Sequence, residues 1–463
     1  MVLSDPASCA NHDQVQLEKL EIEWLVDFDN KVLEGETTQT FRVIKNNVTS
    51  INLDCRDITI ESIDVNETPA DYTRTPQYEG KNVFGDKLSI STAEHAPGSV
   101  IKVHIRFKTS SKAGAVQWIS TEQTTDHIQP SAFTFCQPIG ARSILPCMDT
   151  PIVKCPVYSK LSVPSTTIGL MAAIRVGEVE KDKPRNGYDT YSYEQTIPIP
   201  SYLISFIVGV FECQDISDRI RVWAEPSMLA KAAYEFANSE ESLKLAENLF
   251  GDFVWKRSDM IVLPKSFPLG GMENPCLIFV NPTIITGDRS ETMLLIHEQI
   301  HAWWGNLVTN ASWGDMWLNE GFTTYFERRI GALLYGEQYR QFSNLKAWSS
   351  ILEPLVFERF SPSHPYTRLI IDQSGGIDPN EAFSLNYYEK GQVFLYFLET
   401  KIGREDFDTY CRNYLETFAR KTVDSITWKQ HFIGFFRKKT HLLEDIDFDA
   451  WMYGPGLPPI KPK

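Results

Sequence analysis

Five consecutive residues, His297-Glu298-Gln299-Ile300-His301, carry the sharpest chemistry in the chain. On a helix, residues four apart lie about 40° apart around the axis and one turn apart along it. Two imidazoles so placed can reach one ion at about 2.0–2.1 Å. Glu298 is rotated about 100° from His297. It is badly placed as a third ligand but can reach a water beside the ion. The pentad therefore supplies two metal ligands and a base. A catalytic zinc also needs a third protein ligand and one open position. Glu320, in Trp317-Leu318-Asn319-Glu320-Gly321-Phe322, is the candidate, because the intervening residues suffice for a loop and a returning antiparallel helix. Two His and one Glu leave zinc a net charge of about +1, which brings a bound water into reach of a carboxylate base near neutral pH.

Helices must position these groups. The spacing predicts one over 290–304, with Ser290 as N-cap and Gly305 just past the end, and a second over 318–335. Further helices are predicted at 228–250, 389–401, 405–419 and 427–438. The first 210 or so residues read instead as strands. Leu20, Ile22, Trp24, Val26 and Phe28 alternate with mostly polar neighbours, as do Ile101, Val103, Ile105 and Phe107. The expected class is α+β and multidomain. An antiparallel β domain over 1–212 precedes a mainly helical catalytic domain over 213–452, and a Pro-rich stretch over 453–463 reads as linker.

Composition bounds the partners. The 463 residues carry a net charge of −15, which disfavours a phosphate backbone as ligand and so nucleic acid. No apolar run is long enough to span a membrane. The N-terminal residues show neither a basic nor an apolar stretch of a secretory signal. Eight scattered cysteines without a Cys-x-x-Cys pair suit reduced thiols in the cytoplasm, where the sequons at Asn47, Asn66 and Asn310 would be silent.

The zinc pentad with Trp317–Phe322 resembles the M1 family of zinc aminopeptidases, the gluzincins. Gly270-Gly271-Met272-Glu273-Asn274-Pro275 is similar to that family's exopeptidase signature, and Tyr388-Glu389-Lys390-Gly391 to its tyrosine motif. Segments 141–151, 266–283, 364–372 and 451–462 are most similar to the branch of leukotriene A4 hydrolase and aminopeptidase B. The resemblance covers nearly the whole chain. It implies a saddle-like β domain, a thermolysin-like catalytic domain and one zinc per chain on His297, His301 and Glu320. It implies peptides with a free N-terminus as substrates. Glu273 would bind the ammonium, a strong charge-assisted contact where water is excluded. Gln137 would help hold it, and Gly270, Gly271 and Met272 would line the substrate backbone. Glu298 would be the base and Tyr388 the donor to the oxyanion, with Tyr387 as the neighbour to confuse with it. Family members continue into a C-terminal helical domain, which this chain is expected to lack.

Two other readings compete. The branch includes an epoxide hydrolase that uses Asp-Pro-Asp and then a tyrosine. The matching positions here are Asp378-Pro379-Asn380 and Phe383, which supply neither the second carboxylate nor the hydroxyl. A non-catalytic peptide-binding scaffold is the second. His104 and His364 read as surface or loop residues, and Trp303-Trp304 as core and pocket wall.

Overall fold

The structure is a computed structural model and describes residues 3–462. Met1, Val2 and Lys463, the outermost residues of the expected domain 1–212 and linker 453–463, lie outside the described residues. The chain divides into two compact units. One comprises Met1–Phe236 with Trp255–Gly287, and the other Ala237–Val254 with Asp288–Lys463.

The first unit is built on an eight-stranded sheet. In spatial order its strands are Ile174–Glu180, Tyr188–Pro200, Lys154–Pro164, Val15–Asp27, Val32–Val43, Val100–Thr109, Ile58–Val65 and Thr68–Pro69. All neighbours are antiparallel except Val15–Asp27 against Lys154–Pro164. The period-two pattern explains its inner face. Leu20, Ile22, Trp24 and Val26 are buried, as are Ile101, Val103, Ile105 and Phe107, while the alternate residues meet water. Segment 141–151 belongs to this interior. Buried Arg142 donates to Asp149 Oδ2 (2.8 Å) and to the carbonyls of Phe84 (2.8 Å) and Asp149 (3.0 Å), so its charge is compensated. The unit also holds a three-stranded sheet, a four-stranded sheet and a five-stranded mixed sheet, the last in the order Glu212–Ser217, Ile220–Ala224, Ser258–Val262, Cys276–Val280, Gly271–Met272.

Ten α-helices are described: α1 (Pro226–Glu235), α2 (Ser239–Phe250), α3 (Thr292–Ile300), α4 (Trp317–Tyr335), α5 (Glu337–Ala347), α6 (Pro379–Ala382), α7 (Asn386–Ile402), α8 (Arg404–Phe418), α9 (Ser425–Phe435) and α10 (Phe448–Met452). The predicted helix over 228–250 is two helices, because the chain breaks between Phe236 and Asn238. The zinc-motif helix starts at Thr292. Ser290 is no cap; its N–H is taken by the Asp288 side chain (3.0 Å), an Asx turn that holds it outside the helix. Helix α4 is buried on nearly every side from Trp317 to Phe326. That burial explains why its sequence shows only a weak apolar stripe. Residues 453–456 are not loosely attached: Lys390 Nζ donates to Gly454 O and Gly456 O, and Gly456 N–H donates to Thr367 Oγ1.

Candidate active site

Helix α3 presents the pentad because its back is pinned. Gln299 Nε2 donates to Ser239 O (3.0 Å) and Gln299 Oε1 accepts from Ser242 Oγ (2.6 Å), both on α2. With Leu295, Ile296 and Ile300 buried as well, the rotation of α3 is fixed. His301 sits on the last helical backbone position, still in the right-handed region (φ −55°, ψ −22°).

The second unit brings His297, His301 and Glu320 together, all buried. Their Nε2 atoms are 3.1 Å apart, and Glu320 Oε2 lies 3.3 Å from each. Tetrahedral bonds of about 2.0–2.1 Å would set three donors about 3.3–3.4 Å apart, so the triangle fits one zinc with a fourth side open. Hydrogen bonding supports the fit. His297 Nδ1 donates to Glu327 Oε2 (3.0 Å), and His301 Nδ1 donates to Trp304 O (2.7 Å), which Thr323 Oγ1 also reaches (3.1 Å). With both rings neutral, the Nε2 lone pairs would face each other and a carboxylate, an arrangement that needs a cation between them.

The electrostatics agree. Burial favours the neutral acid at Glu320, but the facing His301 and His297 outweigh it and hold the carboxyl low. Burial likewise opposes a charged His297, yet Glu320 and Glu327 on either side push it well above its usual value. The centre draws positive charge.

The tyrosine motif lies on α7. Tyr388 is half-buried and its ring stacks on His297 (centroids 5.8 Å, 21° between planes), whereas Tyr387 is fully buried in the core. Helices α4 and α7 meet at Gly321 and Gly391. A Cβ on Gly391 would lie 2.8 Å from Gly321 Cα, so only two glycines permit this approach. Beside it, Arg328 donates to both oxygens of Glu389 (2.7 and 2.8 Å). Trp304 is core, stacked on Phe322 (4.3 Å) and Tyr414 (5.6 Å).

The first unit holds the other candidates. Gly271–Met272 pairs antiparallel with Phe279–Val280, and Asn281 secures the approach by donating Nδ2 to Phe267 O and Leu269 O while its N–H meets Gly270 O. Met272 and Glu273 are buried, Gly271 is half-buried and Gly270 is exposed. Gln137 Nε2 donates to Glu273 Oε1 (3.4 Å), so these two side chains, 136 residues apart in sequence, share one place.

Sequence reasoning missed Glu327, Thr323, Gln299 and Asn281. Glu327 alone left a signal: it is seven residues, two turns, beyond Glu320 and so on the same face of α4.

Family profiles divide the chain elsewhere than the two compact units do, because the second profile includes Trp255–Gly287 of the first unit. The Peptidase M1 N-terminal domain profile matches residues 15–203, and the Peptidase family M1 domain profile matches 234–446. Leukotriene A-4 hydrolase of Xenopus laevis is 39% identical over 463 residues, spanning 100% of this chain and 75% of that protein. The chain belongs to peptidase family M1. As a member it is a hydrolase, a metallopeptidase whose cofactor is zinc. Leucine aminopeptidase 2 of Coccidioides immitis is 36% identical over 99% of this chain and 74% of its own length. The structure of yeast LTA4 hydrolase with bestatin superposes with a TM-score of 0.92 at 31% identity, covering 99% of this chain and 70% of that one. No helix among the described residues is long and apolar enough to cross a membrane.

Proposed function

We propose that this M1 peptidase is an aminopeptidase that releases N-terminal residues from peptides. The observation that carries the reading is the buried Glu273 carboxylate beside the Gln137 amide, at the end of a short glycine-led strand. A carboxylate sheltered from water favours an ammonium partner strongly, and the strand edge suits pairing with an extended backbone. Glu273 and Gln137 hold the substrate amine, and Gly270, Gly271 and Met272 lie along its first residue.

His297, His301 and Glu320 would hold a zinc ion, and the chemistry it would supply is Lewis-acid polarisation of a carbonyl and a more acidic water. Glu298 takes a proton from the attacking water and delivers it to the leaving amine. The Tyr388 phenol, a neutral donor stacked on His297, hydrogen-bonds the oxygen on which negative charge develops. Glu327 and the Trp304 carbonyl keep both imidazoles oriented. Eight free cysteines, six of them buried, support a reducing, cytoplasmic setting.

Epoxide opening, the second activity that the resemblance raises, is the weaker reading here. The position that would need a water-directing carboxylate is Asn380, whose Nδ2 donates to Asp378 Oδ1 (2.9 Å). Phe383 lies edge-on to Tyr388 (6.0 Å) and brings no hydroxyl.

The test compares a peptide with a free N-terminus against its N-acetylated form, in the native protein and in Glu273→Ala. The reading expects cleavage of the free form alone, and at least a 100-fold loss of kcat/KM in the variant, about 2.7 kcal/mol. Equal cleavage of the acetylated peptide would overturn it. A zinc-loaded protein that cleaves neither peptide would favour the scaffold.

A further inference from the structure

Tyr388 is the third residue of α7, inside the first turn, where backbone N–H groups lack partners within the helix. Leu385 stands at the N-cap and offers no capping side chain, but Ser384 accepts from the N–H groups of Asn386 (Oγ, 3.3 Å) and Tyr387 (O, 3.4 Å). A group that must meet a developing charge within a few tenths of an ångström also depends on what packs behind this turn.

Lys390 is two residues on, about 200° around the helix and so on the side opposite Tyr388. It is fully buried. Its three N–H donors have three acceptors, the carbonyls of Thr367 (2.9 Å), Gly454 (2.7 Å) and Gly456 (3.0 Å), and no described carboxylate pairs with it. Burial, aided by the Arg368 guanidinium, pulls the ammonium down to about 7. A buried cation held by dipoles alone is costly, and a purely apolar side chain would pack there more cheaply.

What the ammonium gathers is a clamp behind the first turn. Gly456 N–H donates to Thr367 Oγ1 (2.7 Å), Ile370 N–H donates to Met452 O (2.9 Å), and Asn386 Nδ2 donates to Arg368 O (2.7 Å). Trp451 of α10 stacks on Phe394 and Phe397 of α7, both at 5.0 Å. Gly456 has φ +84°, a left-handed conformation that turns its carbonyl into this cluster at no steric cost to a side chain. The residues after Tyr388 thus hold α7 in three directions: Glu389 to Arg328 on α4, Lys390 to 367 and 454–456, and Gly391 against Gly321.

We propose that Lys390 is a positioning residue for Tyr388: its ammonium fastens residues 452–456 and Thr367 behind the first turn of α7 and thereby sets the place of the phenol. The inference rests on the oxyanion role given to Tyr388 above. It is tested by steady-state hydrolysis of a leucine p-nitroanilide by zinc-loaded protein in four forms: native, Lys390→Met, Tyr388→Phe and the double variant. A misplacement of about 1 Å costs on the order of 100-fold. Lys390→Met should lose 10- to 100-fold in kcat, keep KM within about twofold and keep its zinc. The double variant should be no slower than Tyr388→Phe alone, because the clamp acts only through that hydroxyl. Multiplying losses in the double variant, or native kcat in Lys390→Met, would overturn the inference. Native kcat in Tyr388→Phe would instead overturn the role of Tyr388 itself. If Lys390→Met does not fold, Thr367→Val removes the acceptor of Gly456 N–H and leaves the lysine. It should lose kcat in the native background and nothing further in Tyr388→Phe, and a loss in both would overturn the inference.

Discussion

Replacing Gly391 by Ala should separate stability from activity. The added Cβ would lie 2.8 Å from Gly321 Cα and 3.6 Å from Trp317 Cβ. Carbon atoms rest about 3.5–4.0 Å apart, so α7 must withdraw from α4 by about 0.7–1.2 Å, and neither atom belongs to a side chain that can swing away. Overpacking of this kind costs about 1–3 kcal/mol, while Gly→Ala inside a helix returns about 1 kcal/mol. The net loss should be about 0–2 kcal/mol, a shift of a few degrees in Tm. Activity should suffer far more. The helices that would separate carry Glu320 and Tyr388, each within three residues of the contact. A displacement near 1 Å predicts about a 100-fold loss of kcat. The assay is leucine p-nitroanilide hydrolysis, with Tm and zinc content measured on the same sample. A folded Gly391→Ala protein with native kcat would refute the claim that this glycine crossing sets the spacing of the two helices.

Three further outcomes follow from named contacts. Glu327→Ala removes the acceptor of His297 Nδ1–H, and zinc affinity measured by chelator competition should fall 10- to 100-fold; unchanged affinity would show that Glu327 does not orient the ring. Glu298→Gln should keep one zinc per chain and lose at least 100-fold in kcat, and retained turnover would remove it as the base. Asp5 is buried and its pKa rises from 3.8 to about 6, chiefly through desolvation against the Ala7 N–H bond. Its folded pKa is the higher one, so its favourable contribution is full below about pH 4 and lost as pH rises through about 6. Asp5→Asn should therefore stabilise the protein at pH 8, by up to about 3 kcal/mol, and not at pH 4; an equal effect at both, followed by urea melts, would contradict the assignment.

Much of this arrangement is legible in the sequence. Alternation in Leu20–Val26 and Ile101–Phe107 marked strands because one face of each is wet, and the spacing of His297 and His301 marked a helix face because the period is short and local. Helix starts were less legible. Ser290 looks like a cap, yet Asp288 claims its N–H, and that competition depends on a turn the sequence does not display. The pairing of Gln137 with Glu273 was reachable only through resemblance, since nothing local links residues so far apart. Residues 453–463 read as linker from their Pro and Gly content. The glycines at 454 and 456 instead put carbonyls on Lys390, a long-range role that composition does not reveal. In Tyr388-Glu389-Lys390-Gly391 only the tyrosine advertises chemistry. Its three followers act through partners on α4 and in the tail.

A zinc-dependent aminopeptidase must gain and lose its activity with its metal. Zinc content and hydrolysis of a panel of aminoacyl p-nitroanilides are determined on one sample, before and after chelation and on adding zinc back. About one zinc per chain is expected, with cleavage that chelation abolishes and zinc restores. Folded protein that binds no zinc, or cleavage that survives its removal, would contradict it.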